Sequence, residues 1–83
     1  MINLPSFLVF GKMGCDPCRR AKALGEVRAD VKYMQMDDQG IEKLKQQGFA
    51  TMPVVYMQTS PTEFKYIGGY REMIMKVLQH EEP

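Results

Sequence analysis

The chain contains only two cysteines, and they sit three positions apart, in Cys15-Asp16-Pro17-Cys18. They fall where the apolar run Ser6-Phe7-Leu8-Val9-Phe10 ends and a basic, helix-compatible segment begins. If that segment is a helix, positions i and i+3 share a face and the two sulfurs come within bonding reach. A fold that carries this pair must then turn a strand into a helix here. C-x-x-C beside a strand-to-helix pattern is a redox signature, because the spacing lets a disulfide open and close reversibly. Half of a metal site and two unrelated buried thiols are the alternatives. A zinc site needs three or four ligands, and beyond these thiols the chain offers only His80 in a polar tail, so no metal is expected.

With 83 residues, the chain has room for one small domain, spanning 1–83, around one modest core. A C-x-x-C pair closes too short a loop to staple such a domain, so the cysteines read as functional rather than structural. The net charge is +1 with acids and bases interspersed, which argues against nucleic-acid or membrane partners. No basic region and long apolar core open the chain, and Phe7 to Phe10 is far too short to span a bilayer. A cytoplasmic, reducing setting and a monomer are expected. The eight methionines mostly fall at positions that read as core, where a flexible thioether fills gaps.

Taken in order, Met1 to Pro5 is a lead-in, and Ser6 to Phe10 reads as a central strand buried on both faces. Gly11 to Gly14 is a loop, and the first helix starts around Asp16-Pro17, where proline's missing N–H costs nothing. Ala21 and Leu24 continue the face of Cys18 while Arg19, Arg20 and Lys22 point elsewhere, and Gly25 with the polar stretch to Asp30 ends the helix. Val31 to Met36 alternates as a strand nearer an edge, parallel to the first through a right-handed crossover. Asp37-Asp38 caps a second helix with Ile41 and Leu44 inward, and Gly48 ends it as a left-handed cap with Phe49 beyond. Thr51 to Met57 reads as a strand opening on Pro53, and Ser60-Pro61 turns into a short antiparallel strand, Glu63 to Ile67. After Gly68-Gly69, Tyr70, Met73, Ile74, Val77 and Leu78 form an apolar stripe on a last helix that packs on the sheet.

The order strand, helix, strand, helix, strand, strand, helix, with C-x-x-C at the first helix, resembles the glutaredoxin branch of the thioredoxin fold. Three separated motifs carry the resemblance. Lys12-x-x-Cys15-x-x-Cys18, continuing as Arg20-Ala21-Lys22-Ala23-Leu24, is similar to the active-site segment. Thr51-Met52-Pro53 is similar to the Thr-x-Pro loop, and Gly68-Gly69 with Glu72 to the glycine pair and its following acid. The implied fold is α/β: a four-stranded mixed sheet with three helices, in the order β-α-β-α-β-β-α. The residues between the cysteines depart from the usual Pro-Tyr, and Phe49 stands where many members carry a base for the glycyl carboxylate of glutathione. The stretch Gly48 to Val55, and Gly69-Tyr70-Arg71, resemble the glutaredoxin-like redoxins that reduce ribonucleotide reductase and are recharged by thioredoxin reductase.

Disulfide exchange needs a thiolate, and a helix N-terminus favours one, so Cys15 is expected to attack and Cys18 to resolve. Lys12 is placed to favour the thiolate or to meet a substrate carboxylate, though a solvated loop lysine is the plainer reading. Asp16, a neighbouring anion, would moderate the reactivity of Cys15. The resemblance implies a cis Pro53, which would open the backbone of Met52, next to Thr51, to an extended substrate; an ordinary trans bond is the simpler alternative. It also implies that Gly68 and Gly69 receive the γ-glutamyl end of glutathione, with Glu72 on its amino group. A tight turn and an ordinary first-turn acid explain the same three residues. Tyr70 reads as a core anchor.

The expected function is a small dithiol-disulfide oxidoreductase with no tightly bound cofactor, reducing protein disulfides or glutathione mixed disulfides. Disulfide-bearing proteins, ribonucleotide reductase among them, are the expected partners. Glutathione and thioredoxin reductase compete as electron source: Gly68-Gly69 favours the first, Phe49 the second. An iron–sulfur cluster held jointly with glutathione is a different use of the family's fold, against which the second thiol, Cys18, argues. A redox-inert interaction domain is the third class.

Overall fold

In the computed structural model the described residues are 5–81, with side chains to 79; the lead-in expected over 1–4 and the side chain of His80 lie outside them. Seven elements follow one another: β1 Ser6–Gly11, α1 Asp16–Val27, β2 Val31–Gln35, α2 Asp38–Gln46, β3 Val54–Ser60, β4 Glu63–Gly68 and α3 Tyr70–Glu81. The strands form one sheet in the order β2-β1-β3-β4, with β1 and β2 parallel and the other two pairings antiparallel. This is the thioredoxin-like arrangement that the resemblance implied. No helix among the described residues is long and apolar enough to cross a membrane.

The register sorts the sheet into two faces. Phe7 pairs with Val31 and Met57, and Val9 with Tyr33 and Val55, so these side chains share one face. Ala21 of α1 and Met73 and Val77 of α3 close over them to make the core. Leu8, Phe10, Met34, Tyr56, Phe64 and Tyr66 alternate onto the opposite face. β1 is central, but it is not buried on both faces as its apolar run suggested. Phe7, Val9 and Gly11 are buried, whereas Ser6, Leu8 and Phe10 are half-buried. An apolar run reports what a strand can bury, not how fully each face is covered.

α1 does not end at Gly25 but continues to Val27. The glycine is there for proximity: a Cβ on it would stand 3.3 Å from the Val31 carbonyl oxygen and 3.6 Å from the Cβ of Tyr33, so its absence lets the helix lie close on β2. The helix stops at Arg28, whose extended backbone turns its N–H back to the Leu24 carbonyl at 3.0 Å. The Arg28 guanidinium then grips both Asp30 carboxylate oxygens at 2.9 Å, and the Asp30 carbonyl receives the Phe7 N–H at 2.7 Å. This links the end of α1 to the start of both β1 and β2. The guanidinium holds the Asp30 carboxyl below the ordinary carboxylate range, against an opposing push from partial burial.

α2 starts and stops by local chemistry. Asp37 accepts the Gly40 N–H at 2.8 Å as an N-cap. At the other end Gly48, at φ 101°, donates to the Lys45 carbonyl at 3.0 Å while Phe49 donates to that of Leu44 at 3.1 Å. That pair of bonds is a Schellman motif. Ile41 is buried and Leu44 half-buried.

Three further expectations need correction. β3 begins at Val54, not Thr51, and runs through Ser60, because 51–53 forms a loop leading into the sheet; the turn falls on Pro61 and Thr62. Leu78 is 56% exposed although it lies at the apolar spacing of α3. Helical geometry places it about 100° round from Val77, where the surface has turned away from the sheet. The methionines are mostly not core: among the described residues only Met57 and Met73 are buried, and Met13, Met34 and Met75 are exposed.

Candidate redox site

Cys15 and Cys18 form a disulfide, with Cα atoms 5.2 Å apart. Their placement follows from how the strand becomes the helix. β1 ends at Gly11, Gly14 adopts φ 75°, and Cys15 takes the N-cap position in an extended conformation with Pro17 in the first turn. The Cys18 N–H donates to the Cys15 sulfur at 3.3 Å, one of the helix's otherwise unmet donors. Cys15 is half-buried and reachable, whereas Cys18 is fully buried.

Gly11 explains how Cys18 gets so deep. A Cβ there would stand 3.0 Å from the Cβ of Cys18 and 2.5 Å from the Tyr33 hydroxyl, so the bare backbone makes room for both. Burial raises the pKa of Tyr33 above the ordinary phenol value. From the sequence Tyr33 stands only as one residue of the alternating strand Val31 to Met36, on the same side as Val31 and Gln35. The opposing glycine at the strand end was the available signal that this ring sits near the cysteines.

The expected site residues fall into three groups. Met52 and Pro53 come directly to the disulfide: the Met52 carbonyl oxygen lies 3.7 Å from Cys15 Sγ, and the Met52-Pro53 bond is cis, as the resemblance implied. Thr51 precedes them with an exposed side chain. Lys12 is exposed and shares a shallow basin with Cys15, Arg19, Lys22 and Tyr33. Asp16 is well exposed and pairs with Arg19 at 3.7 Å, so its charge is partly engaged beside Cys15.

Gly68, Gly69 and Glu72 form the third group, behind the Pro53 loop. A Cβ on Gly69 would be 3.6 Å from the Pro53 carbonyl oxygen, which brings the glycine pair against that loop. Glu72 folds back on the pair, its Oε1 accepting the Gly69 N–H at 2.7 Å. A Cβ on Gly68, at φ 124°, would stand 2.6 Å from the same oxygen. The glycines thus make way for a carboxylate of the chain itself, which caps α3 from within. Phe49 packs edge-on to Tyr56 and Tyr66, at centroid distances of 6.3 and 5.0 Å, on the far face of the sheet.

On the other flank of the disulfide a groove of about 500 Å³ runs between α1 and α3, lined among others by Pro17, Arg20, Pro53, Tyr70 and Arg71. The sequence reading did not connect Arg20 with Arg71. They lie far apart in the chain and meet only because two helices share one face of the sheet.

No family model matches the chain, and no curated protein matches it. Among solved structures it is similar to thioredoxin f2 of Chlamydomonas reinhardtii, at 18% identity, over 95% of this chain and 82% of that one, with a TM-score of 0.48. The fold assignment above rests on the element order and sheet order themselves.

Proposed function

We propose that the chain is a glutaredoxin-type dithiol-disulfide oxidoreductase that reduces protein disulfides or glutathione mixed disulfides. The observation that carries this reading is the asymmetry of the pair: a reachable Cys15 sulfur at a helix N-terminus, in hydrogen-bond contact with the Cys18 N–H, above a fully buried Cys18. In the reduced protein the same N–H and helix end favour the Cys15 thiolate. That thiolate attacks one sulfur of the target disulfide, and the other leaves as a thiolate that takes up a proton. Cys18, giving up its own proton, then attacks the Cys15 sulfur. The second target thiol departs, and the Cys15–Cys18 bond forms. Two electrons have passed from the chain to the target, and an external reductant must restore them.

A specific observation favours a second reading of that reductant. Glu72 already occupies the Gly69 N–H and the space over Gly68, where glutathione would bind by resemblance. Phe49, at the position expected to hold a base, is committed to an aromatic cluster. Both support recharging by thioredoxin reductase, as in the redoxins that serve ribonucleotide reductase.

Turnover of a protein disulfide is measured with glutathione plus its reductase, and separately with thioredoxin reductase. Cys15→Ser should abolish reduction, and Cys18→Ser should accumulate a mixed disulfide at Cys15. Retained activity in Cys15→Ser would defeat the proposal. Turnover with glutathione alone would defeat the second reading.

A further inference from the structure

We infer that the groove between α1 and α3 receives an acidic, extended segment of the protein whose disulfide is exchanged, and that Arg20 and Arg71 select it. This deepens the oxidoreductase reading and rests on it. The two guanidiniums come from different helices onto one groove that begins at Pro17 and Met52, beside the disulfide. Among the described residues neither is paired with a carboxylate. The groove's one acid, Glu72, is turned onto the Gly69 N–H.

Positive charge continues past the disulfide. Lys12, Arg19 and Lys22 line the basin on the far side of Cys15, where Arg19 meets Asp16 at 3.7 Å. The next acids are Glu26, one turn from Lys22 on α1, and Asp37 and Asp38 beyond Lys12 at the start of α2, of which Asp37 is engaged as the N-cap. The whole chain carries only +1, so this is a local concentration of charge on one surface, not a general basicity. A field of this kind raises the arrival rate of an oppositely charged partner.

The uncharged part of the surface suits a peptide rather than a small anion. Met13, 79% exposed, lines the basin beside Cys15, and Met75, 57% exposed, lines the groove between α1 and α3. Unbranched thioethers adapt to varied apolar side chains, as at surfaces that bind several sequences. An acidic segment with interspersed apolar residues matches both features.

The test uses the pre-reduced protein in single-turnover reactions, which removes the question of electron donor. Three peptides share one disulfide and one spacing, and differ only in flanking residues: glutamate, glutamine or lysine. At low salt the acidic peptide should react about 10-fold faster than the basic one, and this ratio should shrink toward unity as salt rises. Arg20→Gln/Arg71→Gln should cut the acidic-to-basic ratio to about 2. Lys32→Gln/Lys65→Gln, on the remote edge strands, should leave it unchanged. Equal rates for acidic and basic peptides, or an acidic preference that stays at about 10-fold after loss of both arginines, would overturn the inference. The neutral disulfide of mercaptoethanol separates the two levels. If it is reduced while the peptides show no charge preference, only the selection falls; if it is not reduced at all, the oxidoreductase reading falls and the selection with it.

Discussion

The two faces of this sheet are built from the same strands and closed in different ways. On one face Phe7, Val9, Val31, Val55 and Met57 meet side chains from two helices and form a dry core. On the other, Phe10, Phe49, Tyr56 and Tyr66 meet edge to face, with Tyr66 47% and neighbouring Phe64 52% exposed. The first face gains most from area removed from water; the second relies more on ring geometry, which adds a smaller increment per pair. The redox pair sits on the closed side. Cys18 is fully buried there, on the face of α1 that also carries Ala21 into the core.

Truncation at the centre of each face should show the largest single loss. Met73 is fully buried between α3 and the sheet, so Met73→Ala removes its transfer energy and leaves a cavity, costing about 3 kcal/mol. Tyr66→Ala, against Phe49 and Tyr56, should cost about 1 kcal/mol. Urea unfolding of both variants measures this. Equal losses would erase the distinction between the faces.

Adding a methyl group tests the same contrast in the opposite direction. Gly11→Ala would press on the Tyr33 hydroxyl at 2.5 Å and on the Cys18 Cβ at 3.0 Å. The ring tip can swing away, but the cysteine is held by its disulfide and by burial. Overpacking there should cost about 2 kcal/mol. In α2, Gly40→Ala meets first the Met36 sulfur at 3.0 Å, the movable part of a half-buried chain, although the Met36 Cβ at 3.3 Å adds some crowding. Helix propensity favours alanine by about 1 kcal/mol, so the net change should be a gain of about 0.5 kcal/mol. Thermal unfolding would show the opposite signs. A destabilised Gly40→Ala would mean that the α2 side is packed as tightly as the core.

What could be read from the sequence was mostly local backbone chemistry. The strand-to-helix junction at Cys15, the Asp37 cap and the Gly48 stop each depend on a few adjacent residues, and each stands where that chemistry puts it. The failures share a different cause. Gly25 has the composition of a helix end, but its role is set by Val31, which folding brings beneath it. Thr51 to Pro53 has the extended character of a strand without the partner that would make it one. Leu78 obeys the helical period, yet the period gives a face and not its coverage. At the site, the cysteines and the Met52-Pro53 loop were visible as motifs. The convergence of Arg20 with Arg71 on one groove depends on how α3 lies beside α1, which no local pattern encodes, whereas Glu72 on Gly69, three residues apart at the start of α3, is local capping chemistry.

The smallest contrast distinguishes the connections rather than the faces. The closed side is tied at its edge by the two-pronged Arg28–Asp30 pair, whose side chains are 27% and 22% exposed. The hydrogen bond that Asp30 accepts from Arg28 holds its carboxyl below the ordinary carboxylate range, outweighing the upward push of burial. The unfolded chain therefore takes up this proton at a higher pH than the folded one. The pair's contribution is fully present above the unfolded value and is lost as pH falls through the lower folded value. For a pair this exposed, screening limits the contribution to about 1 kcal/mol. Unfolding free energies measured from pH 6 down to about 2.5 should therefore converge for wild type and Asp30→Asn, with the wild-type advantage confined to the upper part of the range. Arg28→Gln should remove the same advantage. A constant gap between wild type and Asp30→Asn at every pH would show that the aspartate acts by shape alone, through the turn that delivers its carbonyl to Phe7, and that the ion pair adds nothing to the closed side.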